Sequence, residues 1–344
     1  MDKFDFKQRL GSGSFGEVWL AIDIGLQAEC AVKCIPPEKV INQGNFFHEA
    51  QILKIAEHKN IVRVLATGTL PDGRVYVSME YLKKGSLDDE AKGSYVHLTR
   101  ARKLMIDVLR GLEYTHSKEI IHRDIKPSNI LIGDSLEGKL SDFGLALHNI
   151  NSLDLKMIKD YKYRMHLAPE VRTPKDFSKL SDIYACGVTL YRLVNGDSYF
   201  SPPAFPLLKG AIEKGEFPNR DRYREFIPRS LKLLINKAMH INAARRFQSA
   251  EEMRRAIERI EIHMNWNEQL LPKSIRWVAG WDKKCYEVER AQETRNTWKV
   301  TTKKGKSKHC LRGLNKTCFK NISEEEAVRR TKNILQNFVN GTIK

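Results

Sequence analysis

Gly11-Ser-Gly13-Ser-Phe-Gly16 is a glycine-rich turn. Glycines let a backbone approach phosphate oxygens closely and aim N–H groups at them, so such a turn can cradle a phosphate. A dinucleotide site of the G-x-G-x-x-G kind needs a helix directly after its glycines. Here Val18-Trp-Leu-Ala21 continues as a strand, and taken alone the turn reads as a plain hairpin. Four further stretches follow it. Ala31-Val32-Lys33 puts a lysine on the next strand-like run, with Glu49 on a helical pattern after it, in a place to hold that lysine. His122-Arg123-Asp124-Ile125-Lys126-Pro127-Ser128-Asn129, then Asp142-Phe143-Gly144, then Ala168-Pro169-Glu170 bring carboxylates, an amide and cations in close order.

The elements that must position these residues are visible as two textures. The first 80 or so residues alternate short apolar runs with glycine turns: Glu17–Ala21, Cys30–Cys34 and Val75–Met79 read as strands, and Leu70-Pro71-Asp72-Gly73 as a hairpin loop. One helical pattern, from about Phe46 to Glu57, interrupts them. Past Gly85 the period becomes helical, with Leu104, Val108, Leu112 and Thr115 on one stripe and Ile183, Gly187, Leu190 and Val194 on another. Ser249-Ala-Glu-Glu252 is a capping box that opens a helix through Ile260. A further unit begins near Asn265 and holds Trp266, Trp277, Trp281 and Trp298. In it Trp298–Val300 and His309–Leu311 read as strands joined through Lys303-Lys-Gly-Lys306. Ser323-Glu-Glu-Glu326 caps a last helix with Ala327, Thr331, Ile334, Leu335 and Phe338 along one stripe.

At these motifs, in this order, the sequence resembles the eukaryotic-type (Hanks-type) serine/threonine protein kinases. Asp182-Ile-Tyr-Ala-Cys-Gly187 and Arg246 fit the same pattern, and the likeness covers about residues 4–262. It implies an α+β, two-lobed fold: a strand-rich lobe over about 1–82, a helical lobe over about 83–262, and a small α+β extension over 263–344. The implied reaction is transfer of the ATP γ-phosphoryl group to a protein hydroxyl, autophosphorylation included. That chemistry needs positioning and charge neutralisation more than covalent catalysis. The resemblance implies that Lys33, aimed by Glu49, pairs with the α/β-phosphates, and that Asn129 and Asp142 hold Mg²⁺. It also implies that Asp124 takes or orients the acceptor proton and that Lys126 offsets charge on the moving phosphoryl. Leu10, Gly11, Ser12, Gly13, Ser14, Phe15 and Gly16 would close over the nucleotide. Val18 and Ala31 would cover one face of the adenine and Leu131 the other, with Met79 at the back and Glu80 and Leu82 along the hinge. Glu170 and Arg246 are expected to pair in the interior.

Lys126 in the His122–Asn129 loop points to serine or threonine as acceptor. Tyr163 departs from the pattern: it stands seven residues before Glu170, where serine/threonine kinases usually place a threonine that touches the catalytic Asp and Lys. Arg123 before Asp124 marks kinases whose activation loop is ordered by an Arg–phosphate pair. Ser152, Tyr161 and Tyr163 are the modifiable candidates, and Asp154 or Asp160 the fixed charges that would substitute.

Composition sets the rest. The chain of 344 residues is 41% apolar and 29% charged, as ordinary globular proteins are, and has no run of the length a membrane span needs. A charged start at Met1–Asp5 and six scattered cysteines point to a reducing, cytoplasmic setting. Net charge is +17, and residues 263–344, with 18 basic and 8 acidic side chains, carry +10 of it. Arg295 to Lys320 holds nine basic residues and no acidic one, with Trp298 and Phe319 among them. Such a segment suits nucleic acid or an acidic protein, which would make the chain a kinase-fold sensor or scaffold; a solvated lysine-rich hairpin with a tryptophan in its core is the plainer reading and the one favoured from the residues. His309, Cys310 and Cys318 lack zinc-finger spacing, and Cys30, Cys34, Cys186 and Cys285 read as small core residues.

Overall fold

The computed structural model describes residues 3–13, 16–39, 57–142, 165–307 and 309–342. The helical pattern at 46–57, Glu49 and the activation-segment candidates Ser152, Asp154, Asp160, Tyr161 and Tyr163 lie outside them, Glu57 excepted.

Five strands build the first lobe: β1 Phe4–Gly13, β2 Gly16–Asp23, β3 Ala28–Ile35, β4 Val64–Thr69 and β5 Val75–Glu80. They pair antiparallel in the order β1-β2-β3-β5-β4. The glycine turn does join two strands, with Gly13 opposite Gly16. Gly16 has φ +149° and an added Cβ would lie 2.1 Å from the Cys34 carbonyl oxygen, so no other residue fits there. Leu70–Gly73 closes the β4–β5 hairpin, its Leu70 N–H donating to Arg74 O at 2.8 Å.

The second lobe is helical: α1 Leu87–Ala91, α2 Leu98–Ser117, α3 Lys179–Asn195, α4 Phe205–Lys214, α5 Arg229–Ala238 and α6 Ala250–Glu258. The short hairpin β6 Ile130–Ile132 and β7 Gly138–Leu140 lies between α2 and α3 in sequence. The stripes read from the sequence are buried on α2 and α3, and α3 is buried on nearly every side. Gly187 allows that: a Cβ there would meet Ala238 and Met239 side chains at 2.8 Å. The capping box at Ser249 is half formed. Ser249 accepts from Glu252 N–H, but the Glu252 carboxylate turns to Gln248 N–H and Lys237, and α6 ends at Glu258, not Ile260.

The last 80 residues form an antiparallel meander, β8 Asn267–Leu271, β9 Ser274–Trp281, β10 Lys284–Gln292, β11 Trp298–Gly305 and β12 Leu311–Gly313. β13 Phe319–Ile322 pairs with β11, and α7 Glu324–Val339 lays the stripe from Ala327 to Phe338 on the sheet. Lys303 and Lys304 are strand residues, not loop residues as the sequence suggests. Each has a partner on β10 that local reading cannot see: Glu287 for Lys303 and the Tyr286 ring for Lys304. Cys285 is half-buried, while Cys30, Cys34 and Cys186 are buried. Among the described residues no helix is long and apolar enough to cross a membrane.

This unit shares one hydrophobic core with the helical lobe. The seam is also polar. Arg224, 8% exposed, lies 4.2 Å from the Tyr95 ring centroid and forms a short ion pair with Glu268. Glu268 also takes Trp277 Nε1–H at 2.9 Å, its backbone N–H donates to Tyr95 Oη at 2.8 Å, and Arg290 reaches Glu225 at 2.8 Å. Removing one partner of a buried pair strands the other's charge, at a cost of about 3–5 kcal/mol. Glu268→Ala should therefore lower stability by about that much in chemical denaturation, as one transition. Unchanged stability would show that the seam does not hold the two parts together.

Candidate functional site

Two neighbouring antiparallel rows on the first lobe's sheet collect the nucleotide-side residues. Val18, Lys33 and Val77 stand in register, as do Leu20, Ala31 and Met79. In-register partners share a face, so Val18, Ala31, Lys33 and Met79 lie on one side of the sheet. Leu10 falls in a register shift of β1 between Arg9 and Gly11 and is 41% exposed. Gly11, Ser12 and Gly13 continue β1, while Ser14 and Phe15 lie outside the described residues. Glu80 ends β5: its N–H donates to Arg63 O at 3.0 Å, and its carboxylate holds Lys139 at 2.8 Å. Leu82 follows, 9% exposed.

The β6–β7 hairpin positions the two oxygen donors assigned to the metal. Asn129 precedes β6 and Asp142 stands two residues after β7. Ser141 N–H donates to Asn129 O at 2.9 Å, which ties the two ends together. Leu131 sits between them on β6, opposite Lys139. Asp142 Oδ1 accepts from Lys33 Nζ at 2.7 Å, across 109 positions of sequence. Burial pushes the Asp142 carboxyl up, but the attraction of Lys33 outweighs it and holds the carboxyl below its ordinary range.

Asp124 is held on two sides. Lys126 Nζ donates to its Oδ2 at 2.8 Å, and Asn129 Nδ2 donates to the same oxygen at 2.8 Å and to its backbone carbonyl at 2.8 Å. With its nitrogen committed to Asp124, the Asn129 amide oxygen meets only Ser128 Oγ, at 3.5 Å, among the described residues. Asp142 binds Lys33 through Oδ1, and its second oxygen makes no hydrogen bond among the described residues. An amide and a carboxylate oxygen suit a hard ion such as Mg²⁺, so the donor set fits the metal.

One functional residue the sequence placed only within a motif is Asp182, in the first turn of α3. Its carboxylate is 1% exposed and accepts three hydrogen bonds: from His122 N–H and Arg123 N–H at 2.8 and 2.9 Å, and from His116 Nε2 at 2.8 Å. Arg123 has φ +72°, a conformation costly for a non-glycine residue, and Asp182 accepts from its N–H and from that of the residue before it. Glu170 and Arg246 pair as expected, bidentate at 2.6 and 2.7 Å. Arg246 is buried and also donates to three backbone carbonyls, while Glu170 is a third exposed. His166 is buried near Lys126 and Arg192, with neither ring nitrogen bonded among the described residues. Burial, then those two cations, lower its pKa to about 3, so it is neutral at physiological pH.

The protein kinase domain family matches residues 4–256. A CBL-interacting serine/threonine-protein kinase 20 of Arabidopsis thaliana is 30% identical over 252 residues, 70% of this chain and 55% of its own length. The tyrosine-protein kinase FRK of Homo sapiens is 33% identical over 195 residues, 54% of this chain and 38% of its own. Among solved structures, Rad53 1-466 in complex with AMP-PNP superposes with a TM-score of 0.60 at 27% identity, over 73% of this chain and 64% of that one. The chain spans about half the length of the curated relatives it matches. The chain belongs to the eukaryotic-type protein kinase family.

A carboxyl whose folded pKa is depressed adds stability above its unfolded value and loses it as pH falls through the folded one. Lys33→Met removes the charge that depresses Asp142 and leaves burial to raise it. The gap in unfolding midpoint between the two proteins should thus be full near neutral pH and close on acidification, first as the variant's raised carboxyl protonates and finally as the parent's lowered one does, measured by urea denaturation across pH. A gap that widens on acidification would contradict the pairing.

Proposed function

We infer that the chain is an ATP-dependent protein kinase that transfers the γ-phosphoryl group to a serine or threonine hydroxyl, its own included. The observation that carries this reading is the contact set around Asp124, which joins Lys126 and Asn129 to one carboxylate oxygen. On this reading the kinase unit runs over 1–262 and the extension over 263–344. The chain works in a reducing, cytoplasmic compartment, a placement its six unpaired cysteines support.

The adenine lies between Val18 and Ala31 on one side and Leu131 on the other, with Met79 behind it. Glu80 offers its carbonyl, since its N–H is already spent on Arg63, and Leu82 lines the same edge. The AMP-PNP in the Rad53 structure supports a nucleotide in this slot. Leu10 through Gly16 close over the phosphates. Lys33, positioned by Glu49, moves between Asp142 and the α/β-phosphates. Asp124 accepts the hydrogen bond of the acceptor hydroxyl and takes its proton as the oxygen attacks phosphorus, and Lys126 neutralises charge on the transferring group. Bound through Asn129 and Asp142, Mg²⁺ supplies positive charge that offsets the phosphates. Lys126, two residues past Asp124, supports serine or threonine as acceptor, with Tyr163 and the tyrosine kinase among the relatives on the other side of the balance.

Asp124→Asn should cut turnover by about 10²–10⁴ in a radiolabelled ATP assay and leave nucleotide affinity nearly unchanged. Near-native turnover would overturn the kinase reading. Phosphoamino-acid analysis of the autophosphorylated chain should give phosphoserine or phosphothreonine, and a product dominated by phosphotyrosine would overturn the acceptor assignment.

A further inference from the structure

The basic residues of the C-terminal sheet fall on two faces, and one of them is neutralised. Val278, Glu287 and Lys303 form one in-register row across β9, β10 and β11; Arg276, Glu289 and Thr301 form the next. On this face Lys303 meets Glu287 at 2.8 Å, Arg276 meets Glu289 at 3.2 Å, and Lys299 lies 3.8 Å from Glu293. The opposite face carries the row Ala279, Tyr286, Lys304 and Arg312. Lys284, two residues before Tyr286 on β10, lies on that side too. Lys284, Lys304 and Arg312 form no ion pair among the described residues, although carboxylates satisfy their neighbours on the other face.

The uncompensated cations are held on a firm base. Lys304 Nζ stands 5.3 Å from the centroid of the Tyr286 ring, which is 1% exposed and packed edge-on to Phe338 at 5.2 Å. Lys304 and Arg312 are directly opposite each other, an arrangement that destabilises a sheet when the charges are alike. An anion bound across them removes that repulsion.

We propose that Lys284, Lys304 and Arg312 form a site for the phosphate backbone of duplex nucleic acid, read without regard to base sequence. The aromatic residues argue for backbone contact over base stacking. Tyr286 is in the core, and Trp281, Trp298 and Phe319 pack against it, so none presents the open ring that single-strand binders use. The carboxylates that neutralise Lys299 and Lys303 lie on the other face, and Lys284, Lys304 and Arg312 have no ion pair among the described residues, which favours a polymer of uniform negative charge over a mixed-charge protein surface. The site is independent of the phosphotransfer residues, and none of the substitutions below touches them.

The test is a fluorescence-anisotropy titration of the full chain with labelled DNA duplex of arbitrary sequence. With three phosphates neutralised, affinity should fall about 40-fold between about 50 and 200 mM salt. Lys304→Gln with Arg312→Gln should weaken binding about tenfold or more and flatten the salt dependence. The control Lys299→Gln with Lys303→Gln removes the same charge from the neutralised face and should keep affinity within about twofold. Thermal unfolding of the first pair of substitutions should stay close to that of the parent, because relief of the like-charge opposition offsets the lost Lys304–Tyr286 contact. Equal losses in both double variants, no duplex binding by the full chain, or poly-glutamate competing as well as duplex would each overturn the proposal.

Discussion

The loop from His122 to Asn129 depends on a single buried carboxylate, Asp182. At 1% exposure an unpartnered charge would be prohibitively costly, and three donors surround it instead: two consecutive loop amides and a histidine. The amides come from His122 and Arg123, so the carboxylate fixes the backbone directly before Asp124, including the left-handed residue there. Asp182 is fixed in turn because α3 is buried nearly all round, packed against α5 at Gly187 and capped by Ser178. The chain of constraint runs from a helix that cannot shift, to a loop that cannot relax, to a carboxylate held at a set position.

The same logic of matched charge orders the rest of the site. Lys33 and Asp142 belong to different lobes, and their bond draws the strand-rich lobe onto the β6–β7 hairpin. Glu80 and Lys139 make a second tie between the lobes, with Lys139 directly opposite Leu131. At the other end Arg224, Glu268, Arg290 and Glu225 join the helical lobe to the C-terminal sheet. Against these satisfied pairs, Lys284, Lys304 and Arg312 carry charge with no carboxylate partner among the described residues.

Much of this was legible in the sequence, for identifiable reasons. Phosphate-handling motifs are local, so the glycine turn, the Asp124–Asn129 loop and Asp142 could be read from adjacent residues. The two lobes followed from period, since strands alternate and helices repeat over 3.6 residues. Contacts distant in sequence were harder to read. Asp182 reaches back 60 positions to His122: each lies in a motif, but neither motif names the other as its partner; Glu268 pairs with Arg224 44 positions away with no motif at either end. The run from Arg295 to Lys320 reads as unpaired because its carboxylates sit on a neighbouring strand and just before its start. The capping boxes misled in a small way: Ser249 and Ser323 do cap, but their glutamates find Lys237 and Arg330 instead of closing the box.

If the account is right, the position of Asp124 is set from α3, and substitution of Asp182 should affect turnover and spare nucleotide binding. Asp182→Asn keeps size and shape but sets an amide N–H₂ against one of the loop's own N–H donors. The measurement is turnover and ATP affinity of this variant side by side, with circular dichroism to establish that the helices persist. The account predicts turnover lower by about two orders of magnitude or more, with nucleotide affinity within a few-fold of the parent. A folded Asp182→Asn protein with parental turnover would contradict it.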